Sequence, residues 1–500
     1  MSALLIFPIL LPLAGGVIAI LVKTDPKRSL QLALSTAGLH TLICGLLLYH
    51  VQLNGILATQ IGNWPAPFGI TLVADHLSAV LVMITAIVNL AVTSYSKADI
   101  DAVLIDRGYY SLLQMLVCGI CGAFLTGDIF NLYVWFEVML IASFGLLVLG
   151  QSKSQLDGGV KYVVINLLST LLFIAGIGLL YGLTGTLNLA DLHAKVPLIA
   201  NRGLLTAVAM LFLAAFGIKA ALFPLFFWLP AAYHTPPVAV SAIFSGLLTK
   251  VGIYALIRVF TLVFTIDMGY FYPVLLVMAA LTMITGVLGA AAQNEFRRIL
   301  SFHIISQVGY MAMGLALQTR LALAGTIFYL IHHIIVKANL FLVSGVVQRL
   351  QGSFELAQLG GLYRSNGKIA VLFFIPAFSL AGFPPLSGFW AKMILIRASL
   401  DIHQYGLAFV AAVVGLLTVY SMTKIWAEAF WKPAPQANLF TDAMIHRKTS
   451  AWMLAPITAL ALLTIIIGFG AEFVFKFAEQ AAVELSHPQY YVHAVLGNRQ

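Results

Sequence analysis

The chain has 500 residues, 61% of them hydrophobic and only 9% charged, with a net charge of +9 and a mean hydropathy of +0.99. A soluble protein carries about 25% charged residues, so the deficit excludes a water-soluble fold, and the positive balance reads as a membrane-insertion signal, not a nucleic-acid footprint. The longest polar gaps, around residues 348–368 and 432–449, are too short to form domains of their own.

Apolar runs able to cross a ~30 Å hydrocarbon layer recur near 2–22, 29–49, 69–95, 109–126, 128–150, 160–183, 203–228, 237–263, 269–292, 300–318, 322–347, 368–396, 406–430 and 450–475. They predict an all-α polytopic membrane protein with about 14 spans. The first run has no basic residue ahead of it, while Lys23, Lys27 and Arg28 follow it, so it reads as a retained span and not a signal peptide. Span 3 carries Asp75 about six residues in, expected as a capped or lysine-paired structural acid and an accessory candidate for transport. Cys118 and Cys121 form CGIC in span 4. They lack the electropositive helix start of a redox pair and read as small residues packing a helix.

Span 5 contains FNLYVWFEVMLIAS, in which Glu137 lies about ten residues into an apolar run that begins after Asp128. At 1.5 Å per residue this is roughly 15 Å from the end of the run, near mid-bilayer. Spans 7 and 12 hold related segments, KAALFPLFFWLPAA (219–232) and LAGFPPLSGFWAKM (380–393), each with a Phe-Pro, an aromatic-Trp pair and a lysine. Five spans separate them, which reverses direction through the membrane and makes the units inverted repeats, as in many secondary transporters. Pro224 and Pro230 in one and Pro384 and Pro385 in the other are expected to break both helices and free carbonyls toward protein or water.

Lysines also lie deep in span 8 (Lys250) and span 11, where LIHHIIVKANLF places His333 and Lys337 on one helix face and turns His332 away. Each charge at a span centre costs about 2.5–3.5 kcal/mol. Five charged groups therefore amount to roughly 12–18 kcal/mol, comparable to a domain's stability. Glu137 is too deep to snorkel and is expected to pair with a lysine of another span. Lysine suits a proton site because burial disfavours its charged form and a nearby carboxylate restores it. His303 and His234 lie near span ends and read as loop or interface residues. No phosphate loop, metal-ligand spacing or nucleophile elbow appears, so no cofactor and no catalytic motif is expected.

Of the 27 lysines and arginines, Lys219, Lys250, Lys337 and Lys392 lie within spans, and Lys195, Arg202, Arg258, Arg320, Arg397, Lys476 and Arg499 fall on one side. The others, among them Arg447 and Lys448, fall on the opposite side, which is predicted cytoplasmic, with both termini outside.

The Glu in FNLYVWFEVML, the Lys in GIKAALFPLFFWLPAAYHTPPVAVSAIFSG, LLTKVGIYALIR, HHIIVKANLF and GFPPLSGFWAKM resemble, over essentially the whole chain, the antiporter-like subunits of respiratory complex I and of Mrp-type cation/proton antiporters. GNWPAPFGITLVADHLSAVL and GAFLTGDIFNLYVWFEVMLIAS look most like the D subunits of the Mrp type. The resemblance implies fourteen helices with spans 4–8 and 9–13 as inverted repeats and spans 7 and 12 discontinuous. It divides the chain into N-terminal spans at 1–108, a first repeat at 109–263, a second at 264–430, and a last span and short tail at 431–500. It implies a pair of Glu137 with Lys219, and a proton axis through Lys250, His333 and Lys337 to Lys392. It further implies a bacterial cell membrane, the A, B, C, E, F and G subunits as partners, and sodium or potassium exchanged for protons in pH homeostasis. A proton-pumping subunit of complex I or of a membrane-bound hydrogenase would carry the same axis and is the alternative.

Overall fold

The computed structural model describes residues 2–266, 269–434 and 449–497. Arg447, Lys448 and Arg499, three of the residues used for orientation, lie outside the described residues. Among the described residues, 11 helices are long and apolar enough to cross a membrane. They are α2 (Pro26–Asn54), α3 (His76–Asp99), α5 (Ile129–Val148), α6 (Lys153–Thr184), the first piece of α7 (Arg202–Ala220), α8 (Val238–Leu262), α9 (Phe271–Ala292), α10 (Phe296–Ala316), α11 (Arg320–Gln351), α13 (Tyr405–Trp431) and α14 (Ala451–Phe469). Shorter apolar helices are α1 (Phe7–Val22), α4 (Tyr109–Leu125) and the first piece of α12 (Gly367–Ala381). Two tail helices follow, α15 (Ala471–Ser486) and α16 (Gln489–Leu496). The chain is a multi-pass, all-α membrane protein.

Much of the scarce acid is spent on helix starts. Asp25 caps α2, Asp75 caps α3 in a reciprocal box with Ser78, Asp128 caps α5 and Glu295 caps α10. Each carboxylate takes up backbone N–H groups that have no intrahelical partner and sits at the favourable, positive end of the helix dipole.

The loops segregate into two ends. At one, a β-hairpin pairs β1 (Leu57–Gln60) with β2 (Thr71–Ala74), and backbone bridges join Leu72 to Thr126 and Asp128 to Asn188. At the other, Arg107 donates to Leu149 O at 2.9 Å, Arg349 to Ala98 O at 2.8 Å and Arg297 to Pro236 O at 2.9 Å. These arginines at helix ends thus work as clamps on the backbone of neighbouring elements.

Burial ranks the helices. The apolar windows of α8 and α11 are 100% buried and that of α10 is 94% buried, against 28% for α2 and 39% for α6. Polar side chains within these windows of α8, α10 and α11 therefore face protein, and the candidate site lies there.

Several sequence expectations are corrected. Span 3 starts at His76, not 69, because residues 71–74 pair as β2 and Asp75 caps the helix. Span 14 ends at Phe469, and the tail beyond it folds, with α15 packed along α11. Arg258 is no loop residue: it is buried within α8.

Candidate functional site

Helix α7 stops at Ala220, Ala221 turns left-handed at φ 60°, and helix resumes at Trp228–Ala232. Pro224 lies in the gap. Pro230, expected as a breaker, instead sits in the first turn of the second piece, where its missing N–H costs nothing. The carbonyl of Ile218 accepts from the Trp228 indole at 3.1 Å, and the amide of Phe223 donates to Thr282 Oγ1 at 2.8 Å. Helix α12 repeats the pattern: it stops at Ala381, Gly382 is left-handed at φ 93°, Pro384 and Pro385 occupy the gap, and helix resumes over Ser387–Asp401. Here the freed carbonyls of Leu380 and Ala381 accept from Lys392 Nζ at 2.9 and 3.1 Å. Gly388 permits the return, since a Cβ there would lie 1.8 Å from Ser379 O.

The middle of α8 contains a π turn, Phe244–Leu248. Such a turn interrupts the ordinary ladder and is frequent at functional sites. Lys250 Nζ folds back and donates to Ser245 O. On α11, Lys337 Nζ donates to Leu300 O of α10 at 2.9 Å. Lys250, Lys337 and Lys392 thus share one solution: each buried ammonium rests on backbone carbonyls and none on a carboxylate among the described residues.

Imidazoles fill the space between these amines. His333 is fully buried, and neither ring nitrogen has a partner among the described residues. It lies within electrostatic reach of Lys250, Lys337 and Lys392. His303, assigned from sequence to a span end, is a correction: it is fully buried in α10, both nitrogens are likewise unpartnered, and Lys337 and Lys392 both act on it. His332 bonds Ser387 Oγ at 2.8 Å, and Ser387 bonds Ser379 Oγ at 3.0 Å across the α12 gap. Tyr329 stacks on Tyr310 and approaches both His332 and His333, and Lys392 Nζ lies 5.3 Å from the Tyr310 ring centre. His303 was legible only as one of a polar series, His303, Gln307 and Tyr310, recurring every three or four residues along α10.

The expected direct pair of Glu137 and Lys219 is absent. Glu137 is half-buried and accepts from Thr170 Oγ1 of α6 at 2.7 Å. Lys219 Nζ lies 5.7 Å over the Phe136 ring, close enough for the two charges to act on each other through space but not to form a contact pair. The packing order explains this, because α6 lies against both α5 and α7 and presents the nearer donor. Lys219 nevertheless adjoins α8: a Cβ at Gly252 would lie 2.6 Å from Ala220 N, so this glycine lets α8 touch the broken end of α7 two residues beyond Lys250.

Asp75 is neither lysine-paired nor solvated. It is buried with Arg258, whose guanidinium donates to Oδ2 at 2.5 Å. Arg258 was missed because loop counting placed it at a span end, although Lys250, Tyr254 and Arg258 in TKVGIYALIR follow a four-residue spacing. The thiols of Cys118 and Cys121 are buried. Among the described residues, no three His, Cys, Asp or Glu side chains converge as metal ligands do.

Comparison with known proteins places the chain in a family. Residues 126–418 match the family described as NADH:quinone oxidoreductase/Mrp antiporter, TM. The chain is 47% identical to the D subunit of the Na(+)/H(+) antiporter of Alkalihalophilus pseudofirmus, covering 99% of this chain and 100% of the relative. It is 40% identical to the protein of the same name from Bacillus subtilis, again over 99% of this chain and 100% of the relative. A chain of the Mrp complex from Dietzia sp. DQ12-45-1b superposes with a TM-score of 0.91 at 34% identity, covering 99% of both chains. A chain of an archaeal membrane-bound sulfane sulfur reductase shares the fold, with a TM-score of 0.90 at 24% identity over 99% of this chain and 100% of that one. The chain belongs to the NADH:quinone oxidoreductase/Mrp antiporter family, and within it to the group of Na(+)/H(+) antiporter D subunits.

Proposed function

We propose that this chain is the proton-translocating subunit of a multisubunit monovalent cation/proton antiporter, a transporter subunit and not an enzyme. The observation that carries the reading is the buried series Lys250, His333, Lys337, His303 and Lys392, whose members lie within electrostatic reach of one another, in which every amine is held by carbonyls and no acid is resident among the described residues. Carbonyl dipoles solvate one ammonium well, but they do not offset several positive charges packed together. A proton arriving at one station therefore expels the proton from the next. Glu137 and Lys219 form the other end of the series, where a carboxylate held by Thr170 can exchange that hydroxyl for the nearby ammonium.

The broader arrangement follows the same reading. The 11 long helices and the shorter apolar ones make fourteen spans, with spans 4–8 and 9–13 as inverted repeats broken at α7 and α12. The repeats occupy residues 109–263 and 264–430, between N-terminal spans at 1–108 and a C-terminal part at 431–500. The basic end faces the cytoplasm of a bacterial cell, the hairpin end and both termini face outside, and the partners are the A, B, C, E, F and G subunits. Sodium or potassium crosses elsewhere in that assembly, because a hard cation wants several oxygen ligands and Glu137 is the one carboxylate in the series among the described residues. The isolated chain exchanging sodium in vesicles would refute that division of labour.

The test of the proton axis is exchange by the whole complex in vesicles. Lys250→Ala and Glu137→Ala are each expected to abolish cation-driven proton movement, by at least about a hundredfold given what a proton-transfer group contributes, while the subunits still co-purify. Near-normal exchange in Lys250→Ala would defeat the axis.

A further inference from the structure

Away from the proton axis, the surface between α3 and α14 carries a groove. Residues 87–94 of α3 and 451–466 of α14 line an open apolar cavity of about 670 Å³, in which Ser94 is the one hydroxyl of the wall. The cavity exists because Ala451, Ala455 and Ala459 recur every fourth residue along one exposed face of α14, where small side chains leave a trough. From Trp452 to Ile466 it follows α14 for roughly 21 Å, which exceeds half of the ~30 Å hydrocarbon layer. It is deep enough for one leaflet.

The groove ends in positive charge. Exposed Lys97 lays its ammonium 3.8 Å over the ring of Trp452, a cation–π contact that fixes a charge at the mouth. One turn beyond Ser94 on α3, Ala98 borders a second cavity of about 390 Å³, together with Asp99, Gln348 and Arg349. Arg349 uses one nitrogen on Ala98 O, and its buried Nε has no partner among the described residues, a donor that proteins normally satisfy. Asp99 offsets part of this charge, but its Oδ2 is already engaged by the Ala239 N–H at 2.9 Å, at the start of α8. The first turn of α14 lies at the same end and adds the positive pole of its dipole. Two cations against one engaged acid leave this end positive.

We propose that the groove between α3 and α14 binds an anionic phospholipid, with its phosphate beside Lys97 and Arg349 and an acyl chain along Ala455 and Ala459. A long apolar slot that ends at cations matches an amphiphile with a negative head. A free phosphate would leave the slot empty. A partner's helix would have to bring its own acid to Lys97 and Arg349 or bury them unpaired, which is strongly unfavourable. The lipid meets both halves at once: its phosphate accepts charge-assisted hydrogen bonds, and basic pockets between membrane helices are ready sites for such headgroups. The site uses none of the residues of the proton axis and stands independently of it.

The test reads the fluorescence of Trp452 in the whole complex in detergent, taken as the signal that Trp452→Phe removes. Phosphatidylglycerol with brominated acyl chains, which quench an indole on contact, is compared with phosphatidylcholine carrying the same chains. Phosphatidylglycerol is expected to reach half-maximal quenching at an about fivefold lower concentration, the factor that one net charge near the headgroup supplies. Lys97→Gln, at an exposed position, abolishes that preference and leaves quenching by phosphatidylcholine as it was. Ala459→Phe, exposed as well, fills the trough and weakens quenching by both lipids. Equal quenching by the two lipids in the unaltered complex is ordinary annular contact and overturns the proposal, as does a preference that survives Lys97→Gln or quenching unmoved by Ala459→Phe. No quenching by either lipid means that a partner subunit covers the groove, and overturns it too.

Discussion

The two broken helices solve one problem in two ways. Both α7 and α12 end in a left-handed residue, pass through proline and resume helix, and both leave carbonyls that must find donors inside the membrane. In α12 the donor is the amine of Lys392, which reaches back from the second piece to Leu380 and Ala381. In α7 the Ile218 carbonyl accepts from the Ala221 backbone N–H and from the indole of Trp228, and Lys219 is left on the first piece over Phe136, beside a glutamate. Thus the charge of Lys392 is coupled to the backbone of its break, whereas the charge of Lys219 is coupled to a carboxylate on another helix. The same discontinuity serves as a mechanical element in one half and as an electrostatic one in the other.

The strongest way to break this contrast is to delete the two amines in turn. Lys392→Ala strands two carbonyls, each costing about 1–3 kcal/mol when buried without a partner, and also removes a proposed proton station. It is expected to abolish exchange and clearly lower the thermal stability of the purified complex. Lys219→Ala should abolish exchange with little change in stability, because Trp228 still caps the break. Lys219→Arg refines the second case: it keeps the charge but hinders deprotonation, so exchange should stay low. Equal losses of stability in the two alanine variants would show that the breaks are built alike.

A smaller effect probes how closely the pieces of α12 must approach. Gly388→Ala places a Cβ 1.8 Å from Ser379 O and 2.9 Å from the His332 ring. Overpacking of this kind typically costs about 1–3 kcal/mol. The shift it forces separates Ser379, Ser387 and His332 and moves Lys392 off its carbonyls, so exchange and thermal stability should both fall, less than in Lys392→Ala. Unchanged exchange would mean that the capping geometry of Lys392 is incidental to transport.

How much of this was legible in the sequence follows from what each signal measures. Hydrophobic runs mark helices that meet lipid or apolar neighbours, so the existence and order of the long apolar helices were readable, as was the burial of Lys250, Lys337 and Lys392. The strand at 71–74 was not, because a short apolar run ahead of a helix looks like more helix until Asp75 is known to cap it. Partner choice was the weakest part. An acid and a base suggest a salt bridge by their charges alone, but the packing of α6 between α5 and α7 gives Glu137 a hydroxyl instead. Equally, nothing local in the sequence reveals that lysines will sit on carbonyls freed by a π turn or a broken helix, since those carbonyls belong to irregular backbone that only the tertiary fold defines. His303 and Arg258 were missed through one error: nearness to a span end was taken for nearness to water, whereas both side chains are buried.

Thr170 offers a finer probe of the α7 side. Thr170→Val keeps the shape of the side chain and removes the donor to Glu137. A hydrogen bond to a charged group contributes about 1.5–3 kcal/mol, so the carboxylate should turn toward Lys219, the nearest cation. The expected outcome is a moderate, severalfold loss of exchange with normal assembly, as the ion pair becomes harder to separate. A loss as complete as that of Glu137→Ala would indicate that the hydroxyl itself carries the proton.

The smallest expected effect is the most discriminating for the comparison. Trp228→Phe retains the ring packing against Tyr162 and Tyr233, whose centroids lie 5.4 and 5.6 Å away, and removes only the indole N–H that caps Ile218 O. The cost should be about 1 kcal/mol of stability, that of a single neutral hydrogen bond, and exchange should persist near the wild-type rate because no titrating group has been touched. In α12 the corresponding cap cannot be removed without removing a charge, since one nitrogen does both jobs. If Trp228→Phe stopped exchange while the complex still assembled, the break in α7 would be as much a part of the proton machinery as that in α12, and the division between a mechanical half and an electrostatic half would fall.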